Sequence, residues 1–332
     1  MPEQVIVRLP NWLGDTVMAV PTLQAVRTGK PDARILAAGP WASILAGQGL
    51  ADVLVTYPRA WSGRLRVADT VRAFGGETAV LLPSSIEAAL AARYWGARRR
   101  IGFAEGSRFG LLTDRLDFPA PRRHQIDEYL MLAERLGVEP AGREPRLEPP
   151  GPDADTRHQA RVLLREAGAS APRARLVGIH LGAEYGSAKV WGIGRTRELC
   201  RHVRKAGAIP VLLGSPGDAV RADEVMKEAS AASLVGKDHP GLLSAVLTEI
   251  GVLVSGDTGV AHLAAALGTP VVTLFGPTDP ALTAPRGVAR VVQNPVPCAP
   301  CFYRTCPIDH PCLQGIEATT VAKAAFAEAA RR

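Results

Sequence analysis

The chain has 332 residues, of which 47% are hydrophobic and 21% charged. This length is typical of two domains of about 150 residues each, and this composition excludes an intrinsically disordered chain. The formal net charge of +7 favours anionic partners. Since the arginine-rich runs 98–100 and 122–123 lack interleaved aromatic residues, we expect no nucleic-acid partner.

Strand-like apolar runs alternate with helical patterns along both halves of the chain. In the first half, the predicted elements are 5–9, 16–28, 33–38, 41–48, 79–82 and 86–95. A proline-rich stretch without periodicity, 139–155, is typical of a linker. In the second half, the predicted elements are 176–181, 195–205, 209–213, 219–232, 251–255, 260–267 and 271–275. This alternation predicts an α/β protein with two parallel sheets covered by helices.

Membrane and export signals are missing from the sequence. No apolar run approaches the roughly 20 residues of a membrane-spanning helix. The N-terminal residues lack the basic and apolar regions of a signal peptide. We therefore expect a cytoplasmic protein.

The segment Gly256–His262 joins a predicted buried strand to an alanine-rich helix. The first amides of such a helix lack backbone partners and carry partial positive charge, so the junction predicts an anion site. Alternatively, Asp257 or Thr258 only caps the helix and His262 is a core residue. A second turn, Gly276-Pro277, follows the next strand at the sheet edge where ligands of α/β proteins bind.

Two further loops follow strands. Asp15 follows the first strand of the chain, where a carboxylate can accept a proton from an attacking hydroxyl, or alternatively caps the next helix. Lys189 follows the first strand of the second half, where a cation would stabilise a departing diphosphate, or is simply solvated. No dinucleotide-binding, P-loop or nucleophile-elbow motif follows a predicted strand, which argues against hydride transfer and serine hydrolysis.

In order and spacing, these segments resemble the ADP-heptose:lipopolysaccharide heptosyltransferases of glycosyltransferase family nine, closest to the heptosyltransferase II type. The segments that carry the resemblance are Asn11–Asp15, Pro21–Leu23, Arg100–Phe103, His124–Leu130, Lys189–Trp191 and, most specifically, Asp257–Thr278.

The resemblance implies a GT-B fold, with two Rossmann-like domains facing each other across a cleft. It implies an acceptor-binding domain at 1–150 and a nucleotide-sugar domain at 151–318. A C-terminal helix, 319–332, could pack back on the N-terminal domain. The implied enzyme inverts configuration and moves heptose from ADP-L-glycero-D-manno-heptose to the lipopolysaccharide inner core at the cytoplasmic face of the inner membrane. It needs no metal for catalysis, and we expect a monomer.

Residue roles follow from the same resemblance. Asp15 would be the general base and Lys189 the diphosphate-binding cation. The predicted donor-binding set also contains Gly14, Gly182, Gly214, Ser215, Asp257, Thr258, Gly259, His262, Gly276 and Pro277. The anionic, lipid-linked acceptor is assigned on charge to Arg59, Arg64, Arg66 and Arg122.

Four of the five cysteines, Cys298, Cys301, Cys306 and Cys312, fall within a short proline-rich segment. In a cytosolic protein, such spacing indicates a structural zinc or iron site, with free thiols or a redox-formed bridge as alternatives. Two other functions stay open at this stage. One is a transferase of the same family with a protein or another glycan as acceptor, and the other is a zinc-knuckle protein that binds nucleic acid.

Overall fold

A computed structural model describes residues 2–237 and 240–331, without the side chains of Ser107, Phe109 and Pro240. The chain divides into two compact units, Met1–Leu147 and Glu148–Arg332. The sequence predicts the division after residue 150, which is three residues after the observed one.

The first unit contains one six-stranded parallel sheet. Its strands are β1 (Gln4–Arg8), β2 (Arg34–Gly39), β3 (Val53–Thr56), β4 (Thr78–Leu81), β5 (Arg99–Phe103) and β6 (Asp114–Leu116). Its α-helices are α1 (Leu13–Met18), α2 (Val20–Gly29), α3 (Trp61–Ala73), α4 (Ile86–Tyr94) and α5 (Gln125–Leu136). The strand order is β3-β2-β1-β4-β5-β6, and Ile6 of β1 pairs with Leu36 and Ala79 on either side.

The second unit repeats this organisation. Its strands are β7 (Leu176–His180), β8 (Ile209–Leu213), β9 (Ala232–Ser233), β10 (Val252–Gly256), β11 (Val271–Phe275) and β12 (Ala289–Gln293). Its α-helices are α6 (Asp155–Glu166), α7 (Ile193–Lys205), α8 (Ala219–Met226), α9 (Pro240–Glu249), α10 (Gly259–Ala266), α11 (Pro280–Thr283), α12 (Pro311–Gln314) and α13 (Ala318–Ala329). The strand order is β12-β11-β10-β7-β8-β9.

The strands form where the sequence is continuously apolar, because helices cover both faces of a parallel sheet. All five residues of β10 and all five of β11 are buried. In each sheet, the chain first adds strands on one side of its first strand and then continues on the other side. The points where the strand order reverses lie between β1 and β4 and between β7 and β10, and ligands of open α/β sheets bind at such points.

Several predicted helices differ from the observed ones. The helix expected at 16–28 begins at Leu13 and is divided at Ala19 into α1 and α2, with Pro21 in the first turn of α2. The segment 41–48 contains only a short 3₁₀ turn, Ala42–Leu45, because Gly47 and Gly49 adopt left-handed backbone angles immediately afterwards.

The C-terminal helix α13 belongs to the second unit. Val321, Ala322 and Ala325 are buried in the same core cluster as Val254 of β10 and Leu274 of β11. Helix α13 thus packs on the second sheet, and the expected packing of its other side on the N-terminal domain stays a prediction. Among the described residues, no helix has the combined length and hydropathy needed to cross a bilayer.

Candidate active site

Asp257 lies at the carboxyl end of β10, at the reversal point of the second sheet, and is buried. Its Oδ2 accepts hydrogen bonds from Lys189 Nζ at 2.5 Å and from Thr278 Oγ1 at 2.7 Å. His262 Nε2 lies 4.0 Å from Asp257 Oδ1. The structure thus brings three of the predicted site residues together and adds Thr278, which follows the Gly276-Pro277 turn and was not among them.

The loop that carries Lys189 packs directly on β10. A Cβ atom at Gly256 would approach the carbonyl oxygen of Lys189 to 2.7 Å, so a larger residue at this position would displace the loop. The neighbour that requires a glycine at this position is therefore the Lys189 backbone itself.

The start of α10 has the features of an anion site. Thr258 is the N-cap residue with extended backbone angles, but its side chain makes no capping hydrogen bond. Instead, Thr258 Oγ1 and Ser255 Oγ lie 2.9 Å apart. The first amides of α10, beginning at Gly259, are therefore not satisfied by the Thr258 hydroxyl and carry the partial positive charge of a helix start.

Asp218, which was not among the predicted residues, contacts three of them. Its Oδ2 accepts hydrogen bonds from the Ser215 amide at 3.0 Å and the Ser215 hydroxyl at 2.8 Å. Its carboxyl group also occupies the space that side chains at Gly182 and Gly214 would need. Three residues predicted to bind the donor thus surround the Asp218 carboxylate. The sequence signal that could have revealed this contact is the Ser215-x-x-Asp218 spacing, which is typical of a capping box.

His180 ends β7 beside these glycines. Burial lowers the pKa of His180 to about 4, although the nearby Asp218 carboxylate acts in the opposite direction. The imidazole is therefore neutral at pH 7. A shallow recess next to it is lined by residues from β7, β10 and the Lys189 loop, including Gly182, Trp191 and Ser255.

The cysteine-rich segment supports the Lys189 loop. Tyr185 Oη donates to the Phe302 carbonyl at 2.6 Å, and the Ala188 amide donates to the Arg304 carbonyl at 3.0 Å. Lys189 Nζ lies 4.5 Å from the centre of the Tyr185 ring, within cation–π range. Tyr185 was not predicted from the sequence, because only the fold brings it next to residues more than a hundred positions away.

The same segment also supports the turn after β11. The amides of Cys301 and Phe302 donate to the Pro277 carbonyl at 3.0 and 2.8 Å. A Cβ atom at Gly276 would approach Leu313 to 2.7 Å and Cys312 Sγ to 3.0 Å. Gly276 and Pro277 are therefore positioned by their contacts with the cysteine-rich segment.

The four cysteines of this segment are free thiols. Cys312 is buried, Cys298 is exposed, and Cys306 Sγ accepts a hydrogen bond from the His310 amide at 3.2 Å. Within residues 2–237 and 240–331, no group of three or more His, Cys, Asp or Glu side chains is arranged to hold a metal ion. The structural zinc or iron stays a prediction, which elemental analysis of the purified chain would test.

In the first unit, Asp15 lies in the first turn of α1, with Trp12 rather than Asp15 at the N-cap position. Gly14, one residue earlier, is buried. Burial raises the pKa of Tyr129 on α5 well above its usual value, with a further contribution from Asp15. Asp15 is thus a partly buried carboxylate near a phenol that stays protonated.

A buried ionic cluster supports the loop before Asp15. Arg8 is buried, and its Nη2 donates to Asn11 Oδ1 at 2.9 Å and lies 3.8 Å from Glu87 Oε2. Burial lowers the pKa of Arg8 to about 10, so the guanidinium remains charged at pH 7. Arg64 Nη1 also pairs with Glu87 Oε2, at 2.9 Å.

The four arginines assigned to the acceptor have different surroundings. Arg64 is buried in the ion pair with Glu87. Arg122 makes a two-pronged ion pair with Glu128, with both distances 2.7 Å. Arg59 lies over the Trp12 ring, and Arg66 donates to the Ser62 carbonyl of its own helix. Arg59, Arg66 and Arg122 are exposed, and Arg64 is buried.

Comparison with known proteins identifies the family. The sequence model of glycosyltransferase family 9 (heptosyltransferase) matches residues 64–311. The chain belongs to glycosyltransferase family 9. Lipopolysaccharide heptosyltransferase 2 of Salmonella typhimurium is 26% identical over 306 residues, which cover 87% of this chain and 88% of the relative.

Solved structures of family 9 members share the fold. The structure of Escherichia coli ADP-heptose lipopolysaccharide heptosyltransferase II superposes with a TM-score of 0.80 at 23% identity, covering 99% of each chain. A family 9 glycosyltransferase from Veillonella parvula superposes with a TM-score of 0.84 at 19% identity, covering 99% of this chain and 98% of that one. The predicted GT-B fold is confirmed by these likenesses, and the predicted glycosyltransferase class is confirmed by the family.

Proposed function

We propose that this family 9 glycosyltransferase transfers heptose from ADP-L-glycero-D-manno-heptose to the inner core of lipopolysaccharide. The proposal is supported by full-length similarity to proteins named lipopolysaccharide heptosyltransferase 2 and by the fold shared with an ADP-heptose-dependent one. We propose that the acceptor is lipid-linked and anionic and that the enzyme meets it at the cytoplasmic face of the inner membrane. The monomer expected from the sequence stays a prediction.

The observation that carries the proposal is the group Lys189, Asp257 and Thr278 beside the start of α10. A diphosphate at this point would meet the first turn of α10, with its partial positive charge, and the Lys189 ammonium group, both positioned before the donor arrives. Asp257 neutralises Lys189 in the meantime, which limits the cost of keeping a buried cation without an anion. The diphosphate would take over that role when it binds.

The reaction then needs one base. The acceptor hydroxyl attacks the anomeric carbon from the face opposite the diphosphate and gives its proton to Asp15. The bond between the anomeric carbon and the diphosphate oxygen breaks, and ADP leaves with the bonding electron pair. Configuration inverts in this single displacement, and the charge that develops on ADP is stabilised by Lys189 and the α10 amides.

The test distinguishes the loss of the general base from the loss of donor binding. We expect Asp15→Ala to lower transfer by a factor of about 10² to 10⁴, which is typical of the loss of a general base, and to leave ADP affinity unchanged. Lys189→Ala should weaken both. Transfer is measured by ADP release with a lipopolysaccharide acceptor that lacks heptose, and affinity by calorimetry. Asp32→Ala, an exposed carboxylate of the same unit, is the matched control. Normal turnover by Asp15→Ala would exclude Asp15 as the base.

A further inference from the structure

Large apolar side chains are exposed on two helices of the first unit. Trp61 and Leu65 of α3 are 63% and 69% exposed, and Ile86, Leu90 and Tyr94 of α4 are 45–49% exposed. The three α4 residues are spaced by four positions and so form one stripe. The opposite side of α4 buries Ala88, Ala89 and Ala92 in the core. Helix α4 is therefore apolar on both its inner and its outer side, which is unusual for a helix in contact with water.

The two helices are neighbours and present one surface. Tyr94 Oη of α4 donates to Asp69 Oδ1 of α3 at 2.6 Å, and the Arg72 guanidinium carbon lies 5.3 Å from the centre of the Tyr94 ring. Both helices return from the carboxyl edge of the same sheet and cover the same core cluster. We call the exposed surface of Trp61, Leu65, Ile86, Leu90 and Tyr94 the α3–α4 face.

The charged residues exposed on or beside the α3–α4 face are mainly basic. The arginines are Arg66, Arg72, Arg93 and Arg98. The exposed acids are Asp69, which binds Tyr94, and Glu77. An apolar surface with tryptophan, tyrosine and surrounding arginines is complementary to a bilayer surface with anionic head groups, where aromatic rings lie at the interface and basic groups meet phosphate.

We propose that the α3–α4 face docks on a bilayer surface that contains anionic phospholipid. This inference rests on the proposed function, because a lipid-linked acceptor is presented at such a surface. A bilayer is the occupant that the proposed function favours, since the acceptor is lipid-linked. Four arginines accompany these apolar residues, and their long side chains can reach anionic head groups while the apolar groups insert.

Vesicle binding by the full chain tests the proposal. Sucrose-loaded vesicles of phosphatidylglycerol and phosphatidylethanolamine are sedimented with the protein, and vesicles of phosphatidylcholine alone serve as the uncharged comparison. The double variant Leu65→Ser, Leu90→Ser removes two exposed apolar groups, and we expect it to bind anionic vesicles roughly tenfold more weakly or worse. Arg93→Glu should also weaken binding, and added salt should reduce the binding of the unmodified chain.

The matched control is Val220→Ser, Met226→Ser, which removes two exposed apolar groups from α8 in the second unit. It should bind vesicles like the unmodified chain. Equal thermal unfolding temperatures would show that all variants fold. The proposal is overturned if the unmodified chain does not bind anionic vesicles, or if the Leu65/Leu90 variant binds them normally. It is also overturned if that variant converts a dimer into a monomer without changing vesicle binding, because a second copy would then cover the face.

A parallel assay separates this inference from the proposed reaction. Transfer to a lipid-free inner-core saccharide in solution requires no docking, so the Leu65/Leu90 variant should retain it. If the unmodified chain binds vesicles but transfers no heptose to either acceptor, the proposed reaction is wrong and the docking face stands. If the chain transfers heptose but the Leu65/Leu90 variant loses no vesicle binding, the reaction stands and the docking face is wrong.

Discussion

His180 is a residue of the second unit whose protonation should depend on folding. It ends β7, and burial lowers its pKa to about 4, although the nearby Asp218 carboxylate acts in the opposite direction. Because burying a charge is costly unless it is paired, protonation of His180 should destabilise the folded chain.

His180 should make the folded chain sensitive to mild acid. The usual pKa of histidine is near 6.5, and that of His180 in the folded chain is about 4. Between these two pH values, His180 therefore binds fewer protons in the folded chain than in the unfolded chain. Its contribution to stability is therefore complete above pH 6.5 and is lost as the pH falls towards 4, by up to about 3 kcal/mol. We expect the unfolding free energy of the His180→Gln variant to change less between pH 7 and 5 than that of the unmodified chain.

Chemical denaturation at several pH values measures this difference. His158→Gln, which changes an exposed histidine on α6 of the same unit, is the control and should keep the pH dependence of the unmodified chain. Parallel curves for the His180→Gln variant and the unmodified chain would show that His180 does not carry the acid sensitivity.

At the scale of elements, the cysteine-rich segment acts as a brace for two loops of the site. Its backbone accepts hydrogen bonds from the Lys189 loop and donates others to Pro277. These contacts join the loop after β7 to the turn after β11, on either side of β10 in the sheet. Positions of Lys189 and Thr278 relative to Asp257 therefore depend on a segment that contributes none of the three side chains.

Gly186 is the residue of the Lys189 loop at which a substitution should disturb this brace most. Its φ of 151° lies outside the region that other residues favour, and a Cβ atom there would collide with the Arg304 carbonyl oxygen. We expect Gly186→Ala to lower the unfolding free energy by about 1–3 kcal/mol and to weaken ADP binding, because the Lys189 loop would have to move.

Calorimetry with ADP and thermal unfolding measure the two effects. Gly194→Ala on α7 is the control, since a Cβ atom there would meet no atom within 4 Å and alanine favours a helix over glycine. Unchanged ADP affinity in the folded Gly186→Ala variant would mean that the brace does not position Lys189.

The sequence predicts some elements much better than others. Strands β8 and β11 have the predicted bounds, because a buried parallel strand is a continuous apolar run. Helices α3 and α6 were not predicted. Their arginine-rich sequences bury only a few residues each, so few apolar positions indicate a helix, and packing against neighbouring elements stabilises them instead.

The site itself was predicted only in part. The junctions at Asp15 and Asp257 are local, since each follows a strand and opens a helix, and the sequence contains that information. The pairing of Lys189 with Asp257 spans 68 residues, and the contact of Tyr185 with Phe302 spans 117. Such contacts depend on the strand order of the sheet, which places the β7 and β10 loops side by side.

At the scale of the whole molecule, two sheets with the same winding each have a reversal point of the kind at which ligands of α/β proteins bind. The two points differ in composition. The point in the second unit has the start of α10 and the Lys189 ammonium group beside Asp257, and a helix start with a cation suits a diphosphate. The point in the first unit has the Asp15 carboxylate in the first turn of α1, which we propose to accept the proton of the acceptor hydroxyl rather than to bind the nucleotide.

This asymmetry predicts where ADP slows hydrogen exchange in the full chain. Amides that bind the diphosphate exchange only when the nucleotide dissociates or the site opens, so peptides covering Gly256–His262 and Gly182–Lys189 should be protected. Peptides covering Asn11–Met18 should change much less, because ADP alone brings no acceptor to Asp15. Mass spectrometry with and without ADP measures both sets, and Lys189→Ala at the same ADP concentration is the control in which the protection should diminish. If ADP protected Asn11–Met18 most strongly, the nucleotide would belong to the first unit, and the roles proposed for the two units would have to be exchanged.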